Sequence, residues 1–468
     1  MDLLLKNGTV VTPQGPVPAD LGVRGEVITY IGRPGLGEGI RPRKTLDCSG
    51  CLLLPGVIDA HVQLEVSFGF GDLLDDFRSG SRAAACGGVT TLIDYARQRK
   101  GGSPLEALRC RKEAADAKVG IDYTLHLTLI DPTPEALAEA PRALDEGIRS
   151  FKVYMAYGKA GRRTDDGAIL ALMRVLSEAG GLLGIHAEVD EHIIRATEDL
   201  IRSGKTHPRY HGRAHPPISE VAAVEALVRM SRESGCEIYI KHVSTAEAAS
   251  LIGKARGEGL AVWGETCPHY LLLDESRYAG EAAPLFIMSP PLRSEDNREA
   301  LWAALAAGDL QIVATDHASY SRAQKFQSST TFEGVPPGVP GIETLLPLGY
   351  TYGVGKRRLS LHRLAQVLAE EPARVFGLYP KKGVLQVGAD ADLVVYDPAP
   401  KGVIDASKLA MNVDFSPFEG MAVQGRVRET FCRGRLVARR GRWAGEEHWR
   451  GRFVPIQPVQ PSTGVRKS

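Results

Sequence analysis

Residues 150–186 read SFKVYMAYGKAGRRTDDGAILALMRVLSEAGGLLGIH. An apolar run, Ser150–Tyr157, precedes a segment, Asp166–Gly180, with apolar residues at three- and four-residue spacing and glycine at its end. A second apolar run, Leu182–His186, follows directly. The spacing predicts strand, helix, strand. The same rhythm extends outward in both directions. Strand-like runs recur at Leu53–Ile58, Val89–Tyr95, Tyr123–Ile130, Glu237–Val243, Ala261–Glu265 and Gln311–Thr315, with helical spacing at 134–147 and 219–235. Eight strands alternating with helices predict a TIM-like (β/α)8 barrel, with chemistry at the C-terminal ends of its strands. An open doubly wound sheet fits the same pattern.

The two chain ends have another texture. LLLKNGTVV, DLGVRGEVITYIG and KTLDCSGCLLLP at the start are short β segments joined by Asn-Gly, Arg-Gly and Ser-Gly turns. KGVLQVG, ADLVVYDP and AVQGRVRETFCRGRLVARRG near the end repeat it. Neither block is large enough for a comfortable core alone. We expect one small β-sandwich built from 1–54 and 380–442, a barrel over 55–379, and a C-terminal arm over 443–468. The arm is expected to lie on the surface or on a neighbouring subunit, with disorder in its last ten residues an equal alternative.

The 468 residues carry 57 basic and 56 acidic side chains, a formal charge of +1. That balance points away from nucleic acid and from anionic membrane as partners. The N-terminus, MDLLLKNGTVVTPQG, has too short an apolar run for a signal peptide, and no stretch is long enough for a membrane helix. Seven cysteines, an odd count without a secretory signal, suggest reduced thiols in the cytoplasm. Cys48-Ser-Gly-Cys51 has zinc-knuckle spacing but no second CxxC, so it reads as small thiols on a strand.

The predicted strand ends collect unusual residues. The first ends in PGVIDAHVQ, placing Asp59, His61 and Gln63 there. His61 and Gln63, two apart on a strand, share one face. The fourth ends near Lys152 and Tyr157, the fifth at His186, the sixth at His242, and the eighth at Asp316-His317. Any one such histidine is more often packed than ligating. Three histidines, a lysine and an aspartate at one end of one barrel are not independent accidents. Imidazoles and carboxylates ligate zinc-like ions. A buried lysine favours its neutral amine, which can take up CO2 to form a carbamate able to bridge two metals. Metals lower the pKa of water, making a nucleophile at neutral pH, and Asp316 could receive its proton.

With those residues in place, the chain resembles a cyclic amidohydrolase of the amidohydrolase superfamily, on the D-hydantoinase/dihydropyrimidinase branch. The likeness runs through PGVIDAHVQLE, FKVYMAY, IHAE, KHVST, ETCPHYLLLDES, MSPPLR, ATDHAS, PGIETLLPL, EEPARVFGLYPKKGVLQVGADADLVVYDP and NVDFSPFEGM. The resemblance implies a barrel with a β-sandwich from both termini. It implies an N6-carboxylated Lys152 bridging the metals, His61 and Asp316 on the more buried ion, and His186 and His242 on the other. Tyr157 would hold the oxyanion, and Ser289 would present backbone groups to the ring amide. The branch uses an asparagine near Pro337 for the same task; here Pro336-Pro337-Gly338 stands instead, and Pro337 keeps a main-chain carbonyl for it. The implied cofactor is a divalent metal, zinc, one or two per chain. Family members are commonly tetramers or dimers, so a homo-oligomer is expected.

Two departures stand out. Gln63 occupies a histidine position, and an amide is a poorer zinc ligand than imidazole. The buried site could hold metal weakly, the centre could be mononuclear, or Gln63 could fill its space and bond a water. Val189 stands where asparagine is common. Dihydroorotases place a carboxylate-binding arginine just beyond the first motif, where this chain has Leu64-Glu65, which argues for a neutral ring. Leu64, Phe68 and Tyr154 offer apolar surface for a ring substituent. The expected reaction is hydrolysis of a hydantoin or dihydropyrimidine to an N-carbamoyl amino acid. The alternatives are an allantoinase-like enzyme, suggested by Cys267-Pro-His269-Tyr270, or a weakened scaffold protein like the collapsin-response-mediator proteins. Residues 158–166 are a candidate lid.

Overall fold

The computed structural model describes residues 1–35, 41–327 and 331–456. Its centre is an eight-stranded parallel sheet: Val57–Asp59, Val89–Arg97, Asp122–Thr128, Ser150–Tyr154, Leu182–His186, Glu237–Ile240, Val262–Thr266 and Ile312–Val313. Neighbours in the sheet follow chain order, as a barrel requires. The ring closes just beyond the first and last strands, where His317 and Ala318 pair in parallel with Val62 and Gln63. That closure sets Gln63 against the end of the last strand.

The helices predicted from spacing form as Pro134–Asp145, Asp166–Ala179 and Pro217–Ser234. Asp166–Ala179 begins with the Asp165 carboxylate accepting from the Ala168 N–H and ends at Gly180 in the left-handed region, φ 75°. Ile169, Leu172, Met173 and Leu176 face the barrel and are fully buried. Each such side chain contributes about 1.5–3 kcal/mol relative to exposure.

The first predicted strand needs correction. Leu52–Pro55 is not part of the barrel; it pairs with Leu3–Thr12 on one side and Leu393–Val403 on the other. The barrel strand starts at Val57, after a step at Gly56, where a β-carbon would lie 2.1 Å from Thr90 Oγ1. Leu52–Pro55 thus joins segments from both chain ends into one nine-stranded sheet. Leu3–Thr12 bonds Lys44–Asp47 through residues 3–6 and Leu52–Pro55 through residues 9–10, and its antiparallel pairing with Gly15–Arg24 shifts register between Leu5 and Gly8. Leu5, Val10, Leu21, Leu53, Leu393 and Phe431 form the core of this sheet.

A buried ionic knot ties the sheet to the barrel. Lys382 Nζ lies 2.8 Å from Asp122, 2.6 Å from Asp392 and 3.1 Å from Asp390, and Arg433 Nε lies 3.0 Å from Asp122. The three carboxylates could by themselves hold a cation. The ammonium already stands among them.

The described part of the C-terminal arm packs on its own barrel. Tyr123 exchanges backbone hydrogen bonds with Arg452 and Val454, and Ile456 donates to Gly147. Val454 and Ile456 are buried with Ile58, Leu182 and Phe376. Their apolar side chains close the barrel floor, so this stretch is part of the core rather than a loose surface arm. The expected disorder at the last ten residues falls outside the described residues. Among the described residues, no helix is long and apolar enough to cross a membrane.

Candidate active site at the mouth of the barrel

Two histidines are held by carboxylates so that each keeps one nitrogen for another partner. His61 Nδ1 lies 2.6 Å from Glu265 Oε1, and its Nε2 faces Asp316 Oδ1 at 3.0 Å without a hydrogen bond between them. His186 Nε2 lies 2.8 Å from Glu188 Oε2, and its Nδ1 lies 2.9 Å from His242 Nε2. A carboxylate on one ring nitrogen fixes the tautomer and leaves the other nitrogen's lone pair free, the usual arrangement behind a metal-ligating histidine. His242 is fixed by its backbone N–H, which donates to Glu265 at 3.1 Å, and its Nδ1 has no partner. Glu265 also accepts from the Tyr239 hydroxyl. One carboxylate therefore braces two strands at the site.

Electrostatics follow from burial and these partners. Burial holds His186 and His242 below the ordinary histidine range, so both are neutral donors. Burial would raise Asp316, but His61, His242 and Lys152 outweigh it and hold the carboxyl well below its usual range. Glu188 is likewise held low against burial by His215 and His186. Lys152 is buried, lies 4.5 Å and 4.7 Å from the ring centroids of Tyr95 and Tyr154, and makes no hydrogen bond among the described residues. Unclaimed imidazole nitrogens, an ionised carboxylate and an unpaired buried lysine fit a divalent cation.

Three of these residues adopt backbone conformations that L-residues avoid. Tyr157 has φ 68°, Asp316 φ 48° and His242 φ 41°. Each stands just past the end of its strand, turning its side chain inward, and such strain concentrates at functional sites. The predicted fourth strand accordingly stops at Tyr154, short of the strained Tyr157.

The donors open into a cavity of about 320 Å³. Gln63, Lys152, His186, His242 and Asp316 line its inner end, and Tyr154, Tyr157, Ser289 and Pro337 its walls. Burial, reinforced by the Glu188 charge, pushes the Tyr157 hydroxyl well above its ordinary range, so it stays a proton donor. Phe68, Phe70, Ile193 and Phe332 supply apolar surface further out. Leu64 does not reach the cavity. It is fully buried and packs over Gly80, because the alternation that turns His61 and Gln63 inward turns Leu64 into the core. His269 lies on the short helix Pro268–Leu272, packed 4.2 Å from Tyr270, rather than on a strand or the cavity wall. Lys159 and Arg162 from the 158–166 loop line the cavity, with Arg162 donating to the Phe68 carbonyl at 3.3 Å. Val189 opens the helix Asp190–Arg202 without a side-chain cap, and its carbonyl accepts from Ser219 instead.

Sequence reasoning missed Glu265, Glu188 with His215, and Arg97. Arg97 ends the Val89–Arg97 strand and donates to Gln63 Oε1 at 2.8 Å. A charged residue closing a buried apolar strand, or an acidic residue two places after His186, were the available signals.

The amidohydrolase family matches residues 52–437. The chain is 39% identical over 458 residues to a D-hydantoinase of Geobacillus stearothermophilus, spanning 97% of this chain and 96% of that protein. It superposes on a D-hydantoinase from a Bacillus sp. AR9 with a TM-score of 0.93 at 36% identity, covering 97% of this chain and 99% of the other. It superposes on a dihydropyrimidinase from Brevibacillus agri NCHU1002 with a TM-score of 0.93 at 34% identity, covering 98% and 100%.

Proposed function

The chain belongs to the amidohydrolase family, and from that premise we propose that it is a cyclic amidohydrolase opening hydantoin or dihydropyrimidine rings at the amide bond to give N-carbamoyl amino acids. The family is dependent on divalent metal. In this chain His61, Lys152, His186, His242 and Asp316 would hold it, with Lys152 as its N6-carboxylated form and zinc as the metal. When bound, the ion polarises the ring carbonyl and lowers the pKa of a water.

The chain's own groups account for the remaining chemistry. Tyr157 donates a hydrogen bond from its hydroxyl to the carbonyl oxygen as charge develops there. Asp316, kept ionised by its neighbours, takes the proton of the attacking water and returns it to the departing ring nitrogen. Ser289 and the Pro337 carbonyl hold the ring amide, and Phe68 and Tyr154 face the ring substituent. Free cysteines, six of the seven buried, agree with a reducing cytoplasm. A dimer or tetramer belongs to the same proposal and rests on the resemblance.

The observation that carries this function is the gathering of the unpartnered His61 Nε2 and His242 Nδ1, and of the His186–His242 pair, beside Lys152 and Asp316. The test is ring opening of hydantoin and dihydrouracil by the purified protein and by the Asp316→Asn and Lys152→Ala variants. Wild-type turnover with loss in both variants is expected. Undiminished turnover in either variant overturns the assigned roles.

A further inference from the structure

Gln63 is not free to act as a ligand, and Arg97 is the reason. The Arg97 guanidinium donates to Gln63 Oε1 at 2.8 Å, and Gln63 Nε2 donates to Asp316 Oδ1 at 2.9 Å. The amide orientation is forced. A guanidinium can only donate and a carboxylate can only accept, so the flipped amide would set N–H against N–H and oxygen against oxygen. The one lone-pair atom of Gln63 therefore faces Arg97, and the atom facing Asp316 carries protons. At the place where the resemblance puts a second histidine, this chain offers a hydrogen-bond donor.

The charge points the same way. Arg97 forms no ion pair with a carboxylate within 4 Å among the described residues. Its guanidinium sits over the rings of Phe68 and Tyr95, 4.6 Å and 5.4 Å from their centroids. Arginine keeps its proton in such places. A permanent cation thus stands one amide away from Asp316, and the amide dipole passes its influence to the carboxylate. A second metal at the buried pole would have to displace the Gln63 N–H from Asp316 Oδ1 and bind near that cation. His61 would be its only imidazole donor.

We propose that Arg97 is a positioning residue which, through Gln63, takes the place of the more buried ion, so that the chain works with a single divalent ion centred on His186 and His242. This rests on the metal-dependent function proposed above. Asp316 is then oriented by an amide where a second metal would otherwise hold it.

The test is the metal content of the intact protein after loading with Zn2+ and desalting, together with the paramagnetic resonance spectrum after loading with Mn2+. Wild type is expected to retain about one ion per chain and to show the spectrum of isolated Mn2+. The Gln63→His/Arg97→Met double variant is expected to retain about two and to show an exchange-coupled pair. A coupled pair or two retained ions in wild type overturns the proposal. A folded double variant that still holds one ion overturns the role of Arg97 and Gln63. If that variant does not fold, the wild-type spectrum decides alone. No retained ion in wild type overturns the metal-dependent function itself, which is a different failure.

Discussion

Glu265 Oε1 lies 2.6 Å from His61 Nδ1, and both side chains are wholly shielded from solvent. The contact spans 204 positions of sequence and joins the segment just past the first barrel strand to the seventh strand. It fixes which His61 nitrogen keeps its lone pair. Replacing Glu265 by Gln keeps the shape and removes the charge. Because Glu265 also accepts from the backbone N–H of His242, a ligand of the single ion, metal affinity read by chelator competition is expected to fall about 10–100-fold. Unchanged affinity would mean that Glu265 only packs.

Tyr157 lines the cavity as the hydroxyl assigned to the oxyanion. Tyr157→Phe should lower kcat about 10²–10³-fold while KM changes little, since the bond strengthens as the oxyanion forms. Steady-state kinetics on a ring substrate checks this. An equal rise in KM with kcat unchanged would make Tyr157 a binding group only.

The Lys382 knot predicts a stability effect remote from the chemistry. Lys382→Met leaves Asp122, Asp390 and Asp392 without their central ammonium. Breaking a buried pair by removing one partner costs about 3–5 kcal/mol. Urea unfolding should show that loss, with turnover per folded molecule little altered.

Glu343 gives the pH dependence a direction. Burial, with Asp75 adding to it, pushes its carboxyl from 4.5 up to about 8, against the opposing backbone N–H groups of Ala410 and Met411. Its folded pKa exceeds its unfolded one, so the folded state binds the proton more tightly. That contribution is fully present below about pH 4.5 and is lost as pH rises through about 8. Thermal stability should therefore fall as pH rises across that window in wild type and less so in Glu343→Gln, with a difference of a few kcal/mol in order of magnitude. Parallel pH curves for the two proteins would contradict this.

The sequence disclosed the parts of the molecule governed by local periodicity. Leu182–His186 forms as predicted, and Asp166–Gly180 differs from the observed helix only by its glycine cap. His61, Lys152, His186, His242 and Asp316 were legible because polar groups ending apolar strands are rare without a task. What escaped was set by distant pairing. Glu265 and Arg97 acquire meaning only when the barrel brings them to His61 and Gln63. The missed break at Gly56 has the same origin, because the apolar run from Leu53 to Ile58 continues although its strand partners change. Leu64 could have been assigned correctly, since alternation from His61 and Gln63 sends it the other way.

The seam at Leu52–Pro55 bears on how the molecule is made. Its neighbour Leu393–Val403 emerges from the ribosome more than three hundred residues later. Until then Leu53 and Leu54 form an apolar strand with an open edge, inviting pairing with other chains. The barrel segments between can assemble while synthesis continues, but the terminal sheet waits for its last strands. The Leu52–Pro55 edge therefore stays open to mispairing until Leu393–Val403 has been made.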